Sequence, residues 1–112
     1  MTTTATILRS LAQALNVPVL AEEPKNPSAS YVLVERSGGS GTFVREGVYT
    51  FQAYASSLQK AEELAETLRS AVLDLVQLPE IAGVHVNAGP YNYTDTRTHR
   101  YRYQLVAQIY HY

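Results

Sequence analysis

Residues 47–79 read GVYTFQAYASSLQKAEELAETLRSAVLDLVQLP, and the change of period inside this stretch decides the fold. In its first part Tyr49, Phe51 and Ala53 alternate with Val48, Thr50, Gln52 and Tyr54. A period of two is that of a β-strand, whose successive side chains point to opposite faces. Both sets are partly apolar, so one face can pack on helices while the other needs a different cover. From residue 57 the period lengthens. Leu58, Ala61, Leu64, Ala65, Leu68, Val72 and Leu75 form one apolar stripe at helical spacing. Lys60, Glu63, Glu66, Arg69, Ser70 and Asp74 fill the opposite side, with Glu66 placed to pair with Arg69. The spacing predicts a helix over 57–76. Ser56 and Gln59 fit a capping box at its start, and Pro79 stops it.

On the N-terminal side, Ile7, Leu8, Leu11, Ala14 and Leu15 recur at helical spacing, which predicts a helix over 4–15. Thr3 or Thr4 is its expected cap, and Asn16 and Pro18 close it. Val17–Leu20 reads as a brief extended segment with no assigned partner. Residues 21–30, with Pro24, Asn26 and Pro27, read as a loop. YVLVER (31–36) is a strand, SGGSG (37–41) a mobile glycine loop, and a second strand runs from Thr42 to Tyr54, with Glu46-Gly47 expected as a bulge.

On the C-terminal side, Val84, Val86 and Ala88 alternate with His85 and Asn87, predicting a strand over 82–88. Gly89-Pro90-Tyr91-Asn92 opens a loop lasting to about His99. The last strand puts Tyr101, Tyr103, Leu105, Ala107 and Ile109 on one face and Arg102, Gln104, Val106, Gln108 and Tyr110 on the other. The expected fold is therefore α+β in one domain over 1–112: an antiparallel sheet of about four strands with two helices packed on it, in the order α-β-β-α-β-β.

Composition narrows the function classes. The 112 residues are 46% hydrophobic, a globular composition, with a formal charge of −1. A non-specific nucleic-acid module carries a clear positive excess, which is missing. With no cysteine, disulfides, thiol chemistry and thiolate metal sites are excluded. No apolar run reaches the length of a membrane span, and the start does not read as a signal peptide. These readings favour a soluble protein of a reducing compartment. Charged residues are scarce at 17%, while tyrosine is abundant at nine against two Phe and no Trp. Tyrosine is enriched where a ring packs at one end and meets water at the other, as at interfaces and in strands.

No constellation carries chemistry. SGGSG lacks a following lysine and runs into an extended segment, so it is no phosphate loop. His85, His99 and His111 have no metal-ligand spacing. Glu62, Glu63 and Glu66 read as a solvated helix face, and no serine sits in a glycine elbow. The expectation is a non-enzymatic protein without catalytic, metal or cofactor-binding residues. Arg97, Arg100 and Arg102 interleave with Tyr91, Tyr93, Tyr101 and Tyr103. That mixture suits a nucleic-acid strand or a protein surface, and Asp95 and the overall charge favour protein.

The runs YVLVERSGG (31–39), GVYTFQAYASS (47–57), AEELAETLRSAVLDL (61–75), VNAGPYNYTD (86–95) and RYRYQLVAQIY (100–110), taken in order, resemble the small tail terminator or tail completion proteins of long-tailed bacteriophages. The resemblance covers roughly residues 5–111 and lies in the order and spacing of modest motifs. It implies a structural virion protein that assembles in the host cytoplasm and forms a hexameric ring at the head-proximal end of the tail. Its partners would be copies of itself, the major tail tube protein and a head-tail connector protein, without membrane or sequence-specific nucleic acid. It also implies contact regions at the 37–47 loop, the 89–100 loop and the tyrosine-bearing strand edges. Gly38, Gly39, Phe43, Arg45, Tyr91, Tyr93, Arg97, Arg100 and Arg102 are the candidate interface residues in them. The alternative roles are another minor tail or connector protein, or a non-enzymatic protein-interaction domain.

Overall fold

Two apolar helix stripes and one apolar sheet face meet in a single core. The computed structural model describes residues 2–112. Helix α1 spans Thr3–Ala14 and is capped by Thr2, whose side chain accepts a hydrogen bond from the Ala5 N–H. Thr3 and Thr4 instead lie in the first turn. The hydroxyl of Thr3 bonds His111 Nδ1 at 3.0 Å and that of Thr4 meets the Tyr49 hydroxyl at 3.1 Å, tying the helix start to the sheet. Helix α2 spans Leu58–Asp74 and continues as a 3-10 turn over Leu75–Gln77. Its cap is Ser57, which accepts from the Lys60 N–H at 3.2 Å. The expected Ser56–Gln59 capping box is absent: the cap falls one residue later, at Ser57, which puts Gln59 at the second helical position, where it donates to Glu63 at 3.2 Å.

The strands are β1 (Val19–Leu20), β2 (Tyr31–Ser40), β3 (Arg45–Ala55), β4 (Ile81–Asn92) and β5 (Tyr101–His111). Among the described residues they form one five-stranded sheet in the order β1-β2-β3-β5-β4. This corrects the four-stranded, wholly antiparallel expectation: the sheet is mixed. The short β1 pairs in parallel with β2, Val19 opposite Val32 and Leu20 opposite Leu33. The Val32 N–H donates to Pro18 O at 2.9 Å, so the chain leaving α1 satisfies a backbone donor on the outer edge of β2. Two residues carry no readable alternation, and the connection over 21–30 contains no helix to announce a parallel crossover.

Two strands are also longer than their hydrophobic patterns. The β2–β3 ladder continues through Gly38, Gly39 and Ser40 to a register shift-free end opposite Glu46, so only Gly41–Val44 turns. The irregularity expected at Glu46-Gly47 lies on the partner strand, between Arg36 and Gly38. Gly47 is instead regular and close-packed, since a Cβ there would lie 2.7 Å from Tyr49 Cε2. Strand β4 passes through Gly89-Pro90 to Asn92 by register shifts between Ile81 and Gly83, Val86 and Ala88, and Ala88 and Tyr91. These shifts break the alternation that a sequence pattern needs.

Both helices cover one sheet face. Ile7 and Leu11 of α1 and Ala65, Leu68 and Val72 of α2 are buried with Val32, Val34, Tyr49, Phe51, Leu105, Ala107 and Ile109. Leu64 packs at the border of this core, partly buried. The molecule is elongated along the strands, 42 × 23 × 23 Å.

Candidate functional site: two ends of one sheet

The nine candidate residues separate into two groups at opposite ends of the long axis. The first surrounds the β2–β3 turn. Gly41 has φ +104, a left-handed conformation that reverses the chain where an added Cβ would sit 2.4 Å from Val44 O. The turn lifts Phe43 off the protein, with 93% of its surface exposed, and leaves Val44 45% exposed. Arg45 starts β3 opposite His111 with its side chain in solvent. Gly39 faces Gly47, and a Cβ on it would collide with Arg36 Nη2 and Glu46 O. Gly38 is open, with nothing within 4 Å of an added Cβ.

The second group lies where β2 begins and β3 ends. The β4–β5 connection is an ordered hairpin rather than the long loop expected. Tyr93 N–H donates to Arg102 O at 2.9 Å, and Asp95 and Arg100 exchange backbone hydrogen bonds at 3.1 and 3.2 Å. His99 takes φ 55 to close the tip. The Asp95 carboxylate accepts from the Arg97 N–H at 3.0 Å. Its pKa is held below the ordinary value by hydrogen bonds from the Thr98 side chain and the Arg97 backbone.

Behind this hairpin, Tyr31 and Tyr54 stack with centroids 4.5 Å apart and planes at 8°. Arg100 Cζ stands 4.8 Å from the Tyr54 centroid and 5.6 Å from that of Tyr31. Arg102 is sandwiched between Tyr93 at 4.6 Å and Tyr54 at 5.8 Å. Tyr91 and Tyr93 meet edge to face at 6.2 Å. Glu23 anchors the set: it pairs with Arg100, the only ion pair among the described residues, and accepts from the Tyr31 hydroxyl at 2.8 Å. Pro27, Ala29, Tyr31, Tyr54, Ser56 and Tyr101 line a cleft of about 190 Å³ beside Arg100.

The helix-free face joins the two ends. A hydrogen-bond chain crosses it from Arg102 Nη1 to the Tyr54 hydroxyl at 3.1 Å, on to Gln52 at 3.1 Å, then to Gln104 at 2.7 Å, and ends on the Tyr91 hydroxyl. Further along, Gln108 donates to Glu46 at 2.6 Å. The result is a surface of amides and phenols with Leu33, Val48 and Val106 half-buried between them.

Arg100 and Arg97, close in sequence, are therefore unlike. Arg97 is exposed, while Arg100 is half-buried and committed to Glu23 and two rings. Arg100→Ala should cost about 1–2 kcal/mol, the scale of a partly desolvated cation–π contact. Arg97→Glu should change stability by less than about 0.5 kcal/mol. Urea denaturation of the two variants checks this, and equal losses would contradict the distinction. Arg97 is accordingly the cleaner position for testing contacts.

Tyr31, Tyr54 and Glu23 were missed as members of the site. Tyr31 and Tyr54 read as ordinary strand residues, and Glu23 sits in a segment without pattern. The signal available was that each tyrosine ends an alternating run. Among the described residues no three His, Asp or Glu side chains gather as a metal-binding group, and no helix is long and apolar enough to cross a membrane. Comparison with known proteins finds no family model that matches the chain and no curated protein significantly similar to it.

Proposed function

We propose that this chain is a structural virion subunit that caps the tail tube of a long-tailed bacteriophage and joins it to the head connector. Six copies close into a ring at the head-proximal end, and the ring works without metal or cofactor. The sequence resemblance to tail terminator proteins supports this reading. The observation that carries the reading is the two-ended distribution of exposed anchors, with Phe43 and Arg45 at one end and Tyr91, Tyr93 and Arg97 at the other. A subunit that contacts identical neighbours in a closed ring presents two different surfaces, one to each side. Arg and Tyr are the residue types that concentrate binding energy in such contacts. The uncharged character of much of the helix-free face and the net charge of −1 favour protein partners over nucleic acid.

The test is tube growth. Tail tubes assembled without the protein should keep lengthening, and adding it should stop growth and make the tubes competent to join heads. Tubes that continue to grow and join heads equally well with and without it would refute the reading.

A further inference from the structure

The turn and the cleft are complementary in charge and position. Phe43 is an aromatic side chain without a cover of its own, carried outward on the four-residue turn that Gly41 opens. The cleft is lined by Pro27, Ala29 and Ser56, by the edges of the buried Tyr31–Tyr54 pair, and by Tyr101, which alternation along β5 puts on the other sheet face from Tyr54. An inserted ring would meet the edge of the Tyr31–Tyr54 stack, whose faces are taken up by each other and by Arg100, and the apolar sides of Pro27 and Ala29. A second hollow, of about 270 Å³, is lined by Thr6, Arg9, Ser10, Gln13, Leu78 and Glu80, with no aromatic residue among them.

Charge matches as well. Arg45 follows the turn, and among the described residues it has no acidic partner. Glu22 adjoins Glu23, the residue bonded to both Tyr31 and Arg100, and it too is exposed without an ion pair. Position settles which molecule supplies the occupant. Tyr31 pairs with Tyr54 at one end of the β2–β3 ladder and Ser40 with Glu46 at the other, about 30 Å apart at the rise of a strand. A chain cannot fill its own cleft, but a second copy can.

We propose that Phe43 of one copy inserts into the cleft lined by Pro27, Ala29 and Ser56 of the next, with Arg45 against Glu22. This contact is heterologous, so it repeats from copy to copy until it closes. It rests on the ring-forming reading above and names the surfaces that reading needs. The strand edges serve less well, because the register shifts and Pro90 of β4 blunt it as a pairing template.

Two variants test it. Phe43→Ala removes the knob from an exposed site, and Ser56→Trp fills the cleft at an exposed position outside the α2 cap. By sedimentation each alone should remain monomeric at concentrations where the wild-type chain associates. Mixed one to one, they should form dimers and nothing larger, since one knob and one cleft remain intact. Because the chain has no cysteine, the contact can also be trapped. Val44→Cys, which keeps Phe43 and sits beside it at an exposed position, mixed with Ser56→Cys should give an oxidised heterodimer. Val44→Cys alone and Ser56→Cys alone should each give about tenfold less, and so should the mixed pair when both chains also carry Arg45→Glu with Glu22 unchanged. Adding Glu22→Arg to those chains should restore the yield. Equal cross-linking of all pairs, or no restoration by the charge swap, would overturn the proposal. Tubes capped normally by Phe43→Ala would overturn it while leaving the capping role intact. Failure of the wild-type chain to cap, with specific cross-linking preserved, would do the reverse.

Discussion

Leu68→Ala should lower the free energy of unfolding by roughly 2–5 kcal/mol, the range for truncating a well-packed core leucine. Leu68 is fully buried, in the middle of the α2 stripe and clustered with Phe51, Leu105 and Ile109 of the sheet. Its removal loses transfer energy and leaves a cavity that the strands, locked by their ladders, can close only in part. A domain of this size commonly has a stability of about 5–15 kcal/mol, so the loss is a large share of the total. Urea denaturation should show a lower midpoint with an unchanged slope. A change within about 0.5 kcal/mol would mean that α2 does not pack on this sheet face.

Gly89→Val should cost about 2–5 kcal/mol by a different mechanism. Gly89 has φ +93, and an added Cβ would lie 2.4 Å from Gln104 O and 2.8 Å from Leu105 Cα. The neighbours are backbone atoms of the central ladder, so they cannot swing aside as a side-chain tip does. A left-handed conformation costs a β-branched residue about 1–2 kcal/mol, and overpacking adds about 1–3 kcal/mol. Gly38→Ala is the control: it has open space, and its cost should stay within about 0.5 kcal/mol. Equal losses at the two positions would show that close approach of β4 to β5 is not what Gly89 provides.

These two positions mark what the sequence reveals and what it hides. Leu68 belongs to a stripe repeated over four turns, and the strand face of Leu105, Ala107 and Ile109 alternates without interruption; both signals are local and periodic. Gly89 sits where β4 takes register shifts, and the same shifts hid the strand's extension to Asn92. The parallel pairing of Val19 and Leu20 depends on an edge donor far along the chain, which no local pattern encodes. The candidate site divides in the same way. Phe43, an aromatic residue among glycines and polar groups, is conspicuous in the sequence. The stacking of Tyr31 on Tyr54 and the hold of Glu23 on Arg100 arise only when the ends of three segments converge.

That convergence also changes how the arginines are read. Arg97, Arg100 and Arg102 look alike as a basic-aromatic run. In the fold, Arg100 and Arg102 are built into the sheet end, where they order the tyrosines, and Arg97 alone faces solvent at the hairpin tip. The helix-free face continues from there as a hydrogen-bonded layer of Gln and Tyr side chains, pre-ordered before any partner arrives. Fixing such side chains in advance reduces the entropy lost on association.

Electron microscopy of purified tail tubes after addition of the protein tests whether it caps them. One cap per tube is expected, at the end that joins the head, with six-fold symmetry and tube growth halted. Absence of any added density at either tube end, with growth and head joining unchanged, would contradict it.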